Sequence, residues 1–227
     1  MSSKFNLLVF DWDGTLMDSE ARIIACMQAA AADLEIDVPD DNSVRNIIGL
    51  GLAQAVEALF PSYDESVIPR MVDRYRFHFL QENKTPSELF EGAEAVLRHL
   101  QGQGYLMAVA TGKGRAGLDK VLDETGLHSL FHATRTADET FSKPNPEMLF
   151  QIMNELGADP EETLVIGDSE YDLLMANNAK TDSLAVSYGV HEVPRLMQHG
   201  PLACLDDINE LVPWLDQAAT GHSQSVG

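Results

Sequence analysis

The sequence contains few cysteines, few basic residues and no long apolar run. Its two cysteines, Cys26 and Cys204, lie among small or apolar neighbours, which favours buried thiols over a disulfide framework or a metal site. No segment approaches the roughly 20 apolar residues of a membrane-spanning helix, and the apolar run after Lys4 is shorter than that of a signal peptide. We therefore expect a protein of the reducing cytoplasm with no membrane partner.

Basic residues are scarce relative to acidic ones. Lysine and arginine total 15 against 36 aspartates and glutamates, so the formal net charge is −21. A surface of this sign repels nucleic acid and anionic membranes, which excludes both as partners. An anionic small molecule would need a local positive site, and the remaining acidity is typical of a solvated surface.

The apolar pattern changes twice along the 227 residues. A short apolar run ending at Phe10 predicts a buried strand, and residues 19–84 then show helical periodicity without a convincing strand. From Gly92 onward apolar strands alternate with helices, with strands predicted at 105–110, near Phe131, at 164–166 and at 183–186. This alternation predicts an α/β fold with a doubly wound parallel sheet, into which an α-helical module is inserted after the first strand.

These patterns also predict the domain boundaries. We expect the α/β core to comprise residues 1–17 and 85–216 and the helical cap to comprise residues 18–84, with Ser19 capping the first cap helix. Hinges are expected near residues 17–19 and 84–89. Residues 217–227 are polar and small with no periodicity, so we expect a disordered tail.

Polar clusters follow the three clearest strands. Asp11 and Asp13 end the first strand, residues 111–114 (Thr-Gly-Lys-Gly) end the second, and Asp168 and Asp172 follow the third. The carboxyl ends of parallel strands meet at one sheet edge, where α/β proteins bind ligands. The sequence therefore predicts one crevice that contains all three clusters.

The residue types in these clusters suggest a phosphate and a hard cation, although each cluster also has a simpler interpretation. Neighbouring carboxylates repel one another unless a cation such as Mg²⁺ offsets them, but an aspartate before Gly14 also suits a strand-ending turn. Asp168 and Asp172 could bind a metal or cap the next helix. Thr111 could bind phosphate oxygens or lie in an ordinary turn.

Three basic residues have the same ambiguity. Lys143, held between Ser142 and Pro144, could neutralise phosphate charge or be a surface lysine. Lys113 and Arg115 could contact an anion or be solvated charges at a helix start.

These three clusters and the segment around Lys143, in their order along the chain, resemble the motifs of the haloacid dehalogenase superfamily of hydrolases, in the phosphoglycolate phosphatase-like branch with a helical cap. The resemblance extends from Phe5 to about Trp214. Its first motif is Phe-Asp-Trp-Asp-Gly-Thr-Leu at 10–16, and its third is Lys-Pro-Asn-Pro from Lys143. Thr111 matches the second motif, and the run 167–172 matches the fourth.

The resemblance implies a Mg²⁺-dependent phosphatase that hydrolyses a small phosphorylated metabolite. Asp11 would be the nucleophile that forms an aspartyl phosphate, and Asp13 would be the general acid and base. Thr111 and Lys143 would bind the transferring phosphoryl group, and Gly112 and Lys113 would add contacts to the substrate.

The resemblance also implies the metal ligands. Asp11, Asp13 through its main-chain carbonyl, Asp168 and Asp172 would bind Mg²⁺. The helical cap would exclude water, and its turn at 48–51 would select the substrate. That turn has no basic side chain of its own, and Arg45 is the nearest one, so a substrate carboxylate has no obvious partner.

Two alternatives to a phosphatase stay open. A phosphomutase would form the same aspartyl phosphate but would hold a sugar phosphate under a cap that discourages water. A binding protein could keep the fold without the chemistry, although such proteins normally lack a motif residue. The sequence is compatible with a monomer or a homodimer.

Overall fold

The computed structural model describes residues 4–222. Within that range the strands are β1 (Leu7–Phe10), β2 (Met17–Asp18), β3 (Glu88–Leu89), β4 (Leu106–Thr111), β5 (Ala133–Thr136), β6 (Thr163–Gly167), β7 (Asp182–Val186) and β8 (Cys204–Leu205). The α-helices are α1 (Glu20–Asp33), α2 (Asp41–Arg45), α3 (Leu52–Leu59), α4 (Val67–Phe77), α5 (Ala93–Gly102), α6 (Arg115–Thr125), α7 (Glu147–Leu156), α8 (Glu170–Ala179), α9 (Val193–Leu196) and α10 (Leu211–His222).

Six strands form one parallel sheet in the order β5-β4-β1-β6-β7-β8. Because side chains alternate along a strand, Leu8 and Phe10 of β1 pack on one face with α5, α6 and α10. Leu7 and Val9 pack on the other face with α7 and α8. Helices cover both faces, which confirms the predicted doubly wound α/β fold and explains the uninterrupted apolar run of β1.

The inserted module has its own hydrophobic cluster, built from α1, α3, α4 and the turn after α2. After α4 a π-helical turn, His78–Glu82, completes the module. β2 and β3 pair antiparallel where the chain enters and leaves the module. These paired strands lie within the predicted hinge segments, while the domain boundaries at 17/18 and 84/85 stay a prediction.

The carboxyl-terminal prediction needs a correction. Residues 217–222, which we expected to be disordered, continue α10 in the structure. The apolar residues Leu211 and Leu215 anchor this helix on the core. Its polar end extends the anchored helix, so it is helical although its own residues show no apolar periodicity. The remainder of the expected tail, 223–227, lies outside the described residues.

Two further sequence predictions can be compared with the structure. Cys26 is buried and Cys204 partly buried, and neither forms a disulfide. In the part of the chain that the structure describes, no helix is both long and apolar enough to cross a bilayer.

Candidate active site

The central position of β1 places Asp11 and Asp13 at the middle of the sheet's carboxyl edge. Both side chains are buried. The chain turns sharply at Gly14, which has a positive φ of 81°, and the Gly14 N–H donates to the Met17 carbonyl at 2.9 Å. A Cβ at Gly14 would lie 2.1 Å from Asp168 Oδ2, so only glycine lets this turn approach the neighbouring carboxylate.

The predicted crevice exists, because β4 and β6 flank β1 and bring their terminal clusters to the same place. Carboxylate oxygens of Asp11, Asp168 and Asp172 lie within 4.8 Å of one another, and all three side chains are buried. Thr111 is fully buried at the end of β4, where its Oγ1 accepts from the Lys113 N–H at 3.1 Å.

Lys143 lies among these carboxylates rather than on the surface. Its Nζ is 2.8 Å from Asp11 Oδ1 and 2.6 Å from Asp172 Oδ1, and its side chain is 0% exposed. Burial lowers the pKa of this ammonium group, but the charges of Asp11 and Asp172 outweigh burial and hold the pKa above its usual value. Lys143 is therefore a permanent positive charge in the crevice.

The charge of Lys143 does not offset the combined negative charge of the buried aspartates. Burial raises the pKa of Asp11 well above its usual range. The charge of Lys143 opposes this rise, and the charges of Asp172 and Asp168 add to it. Burial and the charge of Asp172 raise the pKa of Asp168 to about 7. Ionised carboxylates in this arrangement need a further cation.

The donor set fits Mg²⁺. Asp11 Oδ2 is buried and has no hydrogen-bond partner among residues 4–222, so one oxygen is available to a hard cation. The other carboxylates are held in place by hydrogen bonds. Thr15 Oγ1 donates to Asp168 Oδ1 at 2.7 Å, and the Val190 N–H donates to Asp168 Oδ2 at 2.9 Å.

Asp172 caps the next helix, which is one of the two interpretations that the sequence left open. Its Oδ2 accepts from the N–H and the hydroxyl of Ser169, in the capping box that begins α8. Its Oδ1 faces Lys143. The capping hydrogen bonds therefore hold the Asp172 carboxylate beside the Lys143 ammonium group, so capping does not compete with a further role in the crevice.

Asp13 has different partners from the other three aspartates. Its Oδ1 accepts from the Ser19 hydroxyl at 2.6 Å and lies 3.0 Å from Lys113 Nζ. Ser19 is the N-cap residue of α1, as predicted, but its hydroxyl makes no capping hydrogen bond and donates to Asp13 instead. The Asp13 carboxylate is not part of the described three-carboxylate cluster, which leaves only its main-chain carbonyl for the predicted metal role.

The two basic residues after Thr111 differ in environment. The Lys113 side chain is only 6% exposed, and its Nζ lies 4.3 Å from the centre of the Phe79 ring in the inserted module. Arg115 forms ion pairs with Glu139 at 2.5 Å and Asp119 at 3.2 Å. The interpretation of Lys113 as a solvated charge is therefore wrong, and Arg115 is already paired.

The predicted substrate-selecting turn at 48–51 lies directly on the core. The Gly51 N–H donates to Ser142 Oγ at 2.6 Å, next to Lys143. A Cβ at Gly112 would lie 2.4 Å from the Leu50 carbonyl oxygen and 2.6 Å from that of Gly49. Gly112 therefore gives the inserted module room to approach the end of β4, which adds a steric role to the predicted contact with substrate.

A second group of contacts across the same boundary has no sequence motif. The Tyr171 hydroxyl donates to the Asn46 carbonyl at 2.8 Å, and the Arg195 guanidinium donates to the Asn46 side-chain oxygen. The Arg45 side chain is engaged by Glu20 at 2.6 Å, so it stays within the module. The contacts of Asn46 and the pair between Arg45 and Glu20 join residues that are distant in the chain, so no local pattern could have predicted them.

Substitution of Gly112 by alanine is expected to weaken the approach of the module to the core. The added methyl group meets backbone carbonyls, which cannot rotate away as a flexible side chain would. We expect kcat/KM to fall roughly tenfold or more, while the melting temperature changes little. Gly102→Ala is the matched control, because a Cβ there meets nothing within 4 Å. Equal kinetics in the two variants would contradict the steric role.

A cavity of about 650 Å³ opens beside these groups. Asp11, Asp13, Thr111 and Lys113 line it from the core, and residues of α1, α3, α4 and the turn at 48–51 line it from the inserted module. This volume is within the usual range for small-molecule sites. Three of the predicted catalytic residues, Asp11, Asp13 and Thr111, therefore share one cavity with the module expected to select the substrate.

The fold and the site define an enzyme of the α/β class, in which carboxylates and a buried lysine converge at the centre of a parallel sheet. The chain belongs to the haloacid dehalogenase-like hydrolase family, whose model matches residues 8–186.

Related proteins agree with this assignment. "Probable phosphatase IndB" of Dickeya dadantii is 36% identical over 211 residues, which cover 91% of each chain. A phosphoglycolate phosphatase of Colwellia psychrerythraea is 29% identical, with 91% of this chain and 95% of that protein covered. The crystal structure of a predicted phosphatase from Clostridium acetobutylicum, 26% identical, matches with a TM-score of 0.85 over 95% of this chain and 100% of the other.

Proposed function

We propose that the protein is a Mg²⁺-dependent phosphatase that hydrolyses a small phosphate monoester through an aspartyl phosphate on Asp11. The observation that carries this proposal is the environment of Asp11: a buried carboxylate with one unpartnered oxygen, beside the Lys143 ammonium group and in the cavity that Asp13 also lines. The names of relatives in the same family support phosphatase activity. Two unpaired cysteines suit a reducing cytoplasm.

In the first step the Asp11 carboxylate attacks phosphorus. A bond forms between phosphorus and the Asp11 oxygen, and the bond from phosphorus to the ester oxygen breaks. Asp13, in its carboxyl form, donates its proton to the departing oxygen so that an alcohol leaves rather than an alkoxide. Lys143 and the Thr111 hydroxyl hold the phosphoryl oxygens in line with Asp11.

In the second step a water molecule hydrolyses the aspartyl phosphate. Asp13, now a carboxylate, accepts a proton from this water, whose oxygen attacks phosphorus. The bond between phosphorus and Asp11 breaks, which releases phosphate and restores both aspartates to their starting forms. The hydroxyl of Ser19, which contacts Asp13 Oδ1, holds that carboxylate in one orientation through both steps.

Asp11, Asp168, Asp172 and the main-chain carbonyl of Asp13 are the proposed ligands of Mg²⁺. When bound, the ion would offset the negative charge of the phosphoryl group and fix its orientation. The four buried aspartates outnumber the two neighbouring lysines, Lys113 and Lys143, so this strongly acidic centre requires such a cation before it accepts an anionic substrate. Residues 18–84 are proposed to act as a cap that excludes bulk water.

Removal of the metal is expected to abolish turnover. With 4-nitrophenyl phosphate we expect steady phosphate release in Mg²⁺, a fall on the order of a hundredfold or more in excess EDTA, and recovery when Mg²⁺ is restored in excess. Full activity in EDTA would contradict the metal role. No phosphate release in Mg²⁺ would contradict the phosphatase proposal, and conversion of a hexose phosphate into its isomer would favour the phosphomutase.

A further inference from the structure

The cavity beside Asp11 has an apolar wall on the side of the inserted module. This wall, which we call the cap wall, is formed by side chains from α1, α4, the turn at 48–51 and the π-helical turn. It comprises Ile23, Met27, Ile48, Leu50, Val72 and Phe79. Because Asp13, the proposed proton donor to the leaving oxygen, lines the same cavity, the leaving group would extend into the space that the cap wall bounds.

The basic side chains that line this cavity already have acidic partners. Lys113 pairs with Asp13 at 3.0 Å and Arg115 pairs with Glu139 at 2.5 Å. Arg76 is half exposed and faces Asp138, with its NH2 nitrogen 3.7 Å from the carboxylate. A carboxylate on the leaving group would compete with these acidic neighbours and would lose part of its hydration shell in doing so.

Neutral polar partners are also few. Gln54 and Tyr75 are the neutral polar side chains that the module contributes to the described cavity lining. A sugar has several hydroxyl groups, and each one that leaves water for the cap wall without a new hydrogen bond raises the free energy of binding. An apolar group of the same size gains free energy from the same transfer.

The volume leads to the same conclusion. A cavity of about 650 Å³ is within the range that holds drug-sized ligands, and a two-carbon hydroxy acid would leave most of it filled with water against apolar side chains. A leaving group that covers the cap wall would displace that water.

We propose that the leaving group of the natural substrate is an apolar alcohol, with hydrocarbon that packs against the cap wall. This proposal rests on the phosphatase function proposed above and names the class of its substrate. The cap wall then selects substrates by burying hydrocarbon, and the charged centre at Asp11 recognises only the phosphate that all candidates share.

The test compares four primary alkyl phosphates, whose leaving alcohols have similar intrinsic reactivity. They are 2-phenylethyl phosphate, hexyl phosphate, glycerol 3-phosphate and phosphoglycolate. With the wild-type protein in Mg²⁺ we expect kcat/KM for each of the first two to exceed that for each of the last two by about tenfold or more. Equal values, or a preference for glycerol 3-phosphate or phosphoglycolate, would overturn this proposal and leave the phosphatase function intact. Hydrolysis of 4-nitrophenyl phosphate but of none of the four would overturn this proposal alone, and failure to hydrolyse any of the five esters would overturn both.

A pair of variants tests whether the cap wall is responsible. Val72 and Ile68 are both half buried and lie one turn apart on α4, but only Val72 lines the cavity. We expect Val72→Lys to lower the ratio of kcat/KM for 2-phenylethyl phosphate over phosphoglycolate by about tenfold. In Ile68→Lys that ratio should stay at the wild-type value. An unchanged ratio in folded Val72→Lys would show that the leaving group does not contact the wall.

Discussion

Replacement of Asp11 by asparagine is expected to lower kcat by a factor on the order of 10⁴ or more, the usual loss when a covalent nucleophile is removed. The amide has nearly the same shape as the carboxylate, but its nitrogen and oxygen cannot form a stable bond to phosphorus. Acid-quenched wild-type protein should gain the mass of one phosphoryl group during turnover, and the variant should not.

This substitution should leave the fold intact. Lys143 loses one of its two carboxylate partners but keeps Asp172 at 2.6 Å, and the repulsion of Asp11 by Asp168 and Asp172 disappears. The matched control is Asp123→Asn, because Asp123 is exposed on α6. Activity of the Asp11 variant within tenfold of that of the control would mean that another residue is the nucleophile.

Replacement of Lys143 by methionine is expected to reduce both activity and stability. Methionine keeps most of the length of the side chain without its charge, so Asp11 and Asp172 lose their shared buried partner. Removal of one partner from a buried ion pair destabilises a protein by about 3–5 kcal/mol. Loss of a charge directed at the transferring phosphoryl group lowers kcat by on the order of 10²–10³.

The loss of stability should depend on pH with a defined sign. The pKa of Asp168 is already raised to about 7 in the folded protein, and removal of Lys143 raises the pKa values of these aspartates further. An acid whose folded pKa is raised binds more protons folded than unfolded, so its contribution to stability falls as pH rises from about 4 through the folded pKa. In EDTA the deficit of the variant should therefore be larger at pH 8 than at pH 5.

Urea unfolding at the two pH values measures this difference, and kcat/KM is measured in parallel in Mg²⁺. Lys84→Met is the matched control, because Lys84 is exposed. A deficit that is equal at both pH values, or larger at pH 5, would mean that Lys143 does not compensate the buried aspartates.

Much of the core could be predicted from local patterns. The run before Asp11, the apolar stretch before Thr111 and the one before Asp168 are each short and uninterrupted, as buried parallel strands require. Parallel pairing then brings their ends together, so the convergence of Asp11, Thr111 and Asp168 followed from the pattern. The polar end of α10 was not predictable in this way, because residues 217–222 have no apolar face of their own.

The environments of individual side chains were much less predictable. The sequence left two interpretations of Lys113 open, an anion contact and a solvated charge. Its buried position beside Asp13 and Phe79 depends on how the inserted module lies on the core. Ser19 is the N-cap residue of α1, yet its hydroxyl donates to Asp13 and makes no capping hydrogen bond to the helix backbone.

The sequence by itself determined the α/β core, the insertion and the residues that meet at its central strand, because strand and helix periodicity are local properties of the chain. Only the tertiary structure decided that Lys143 is enclosed by Asp11 and Asp172, that Gly112 lies under the turn at 48–51, and that the cavity has an apolar cap wall. These features join residues far apart in the chain, and their energies arise from burial and charge, which exist only after packing.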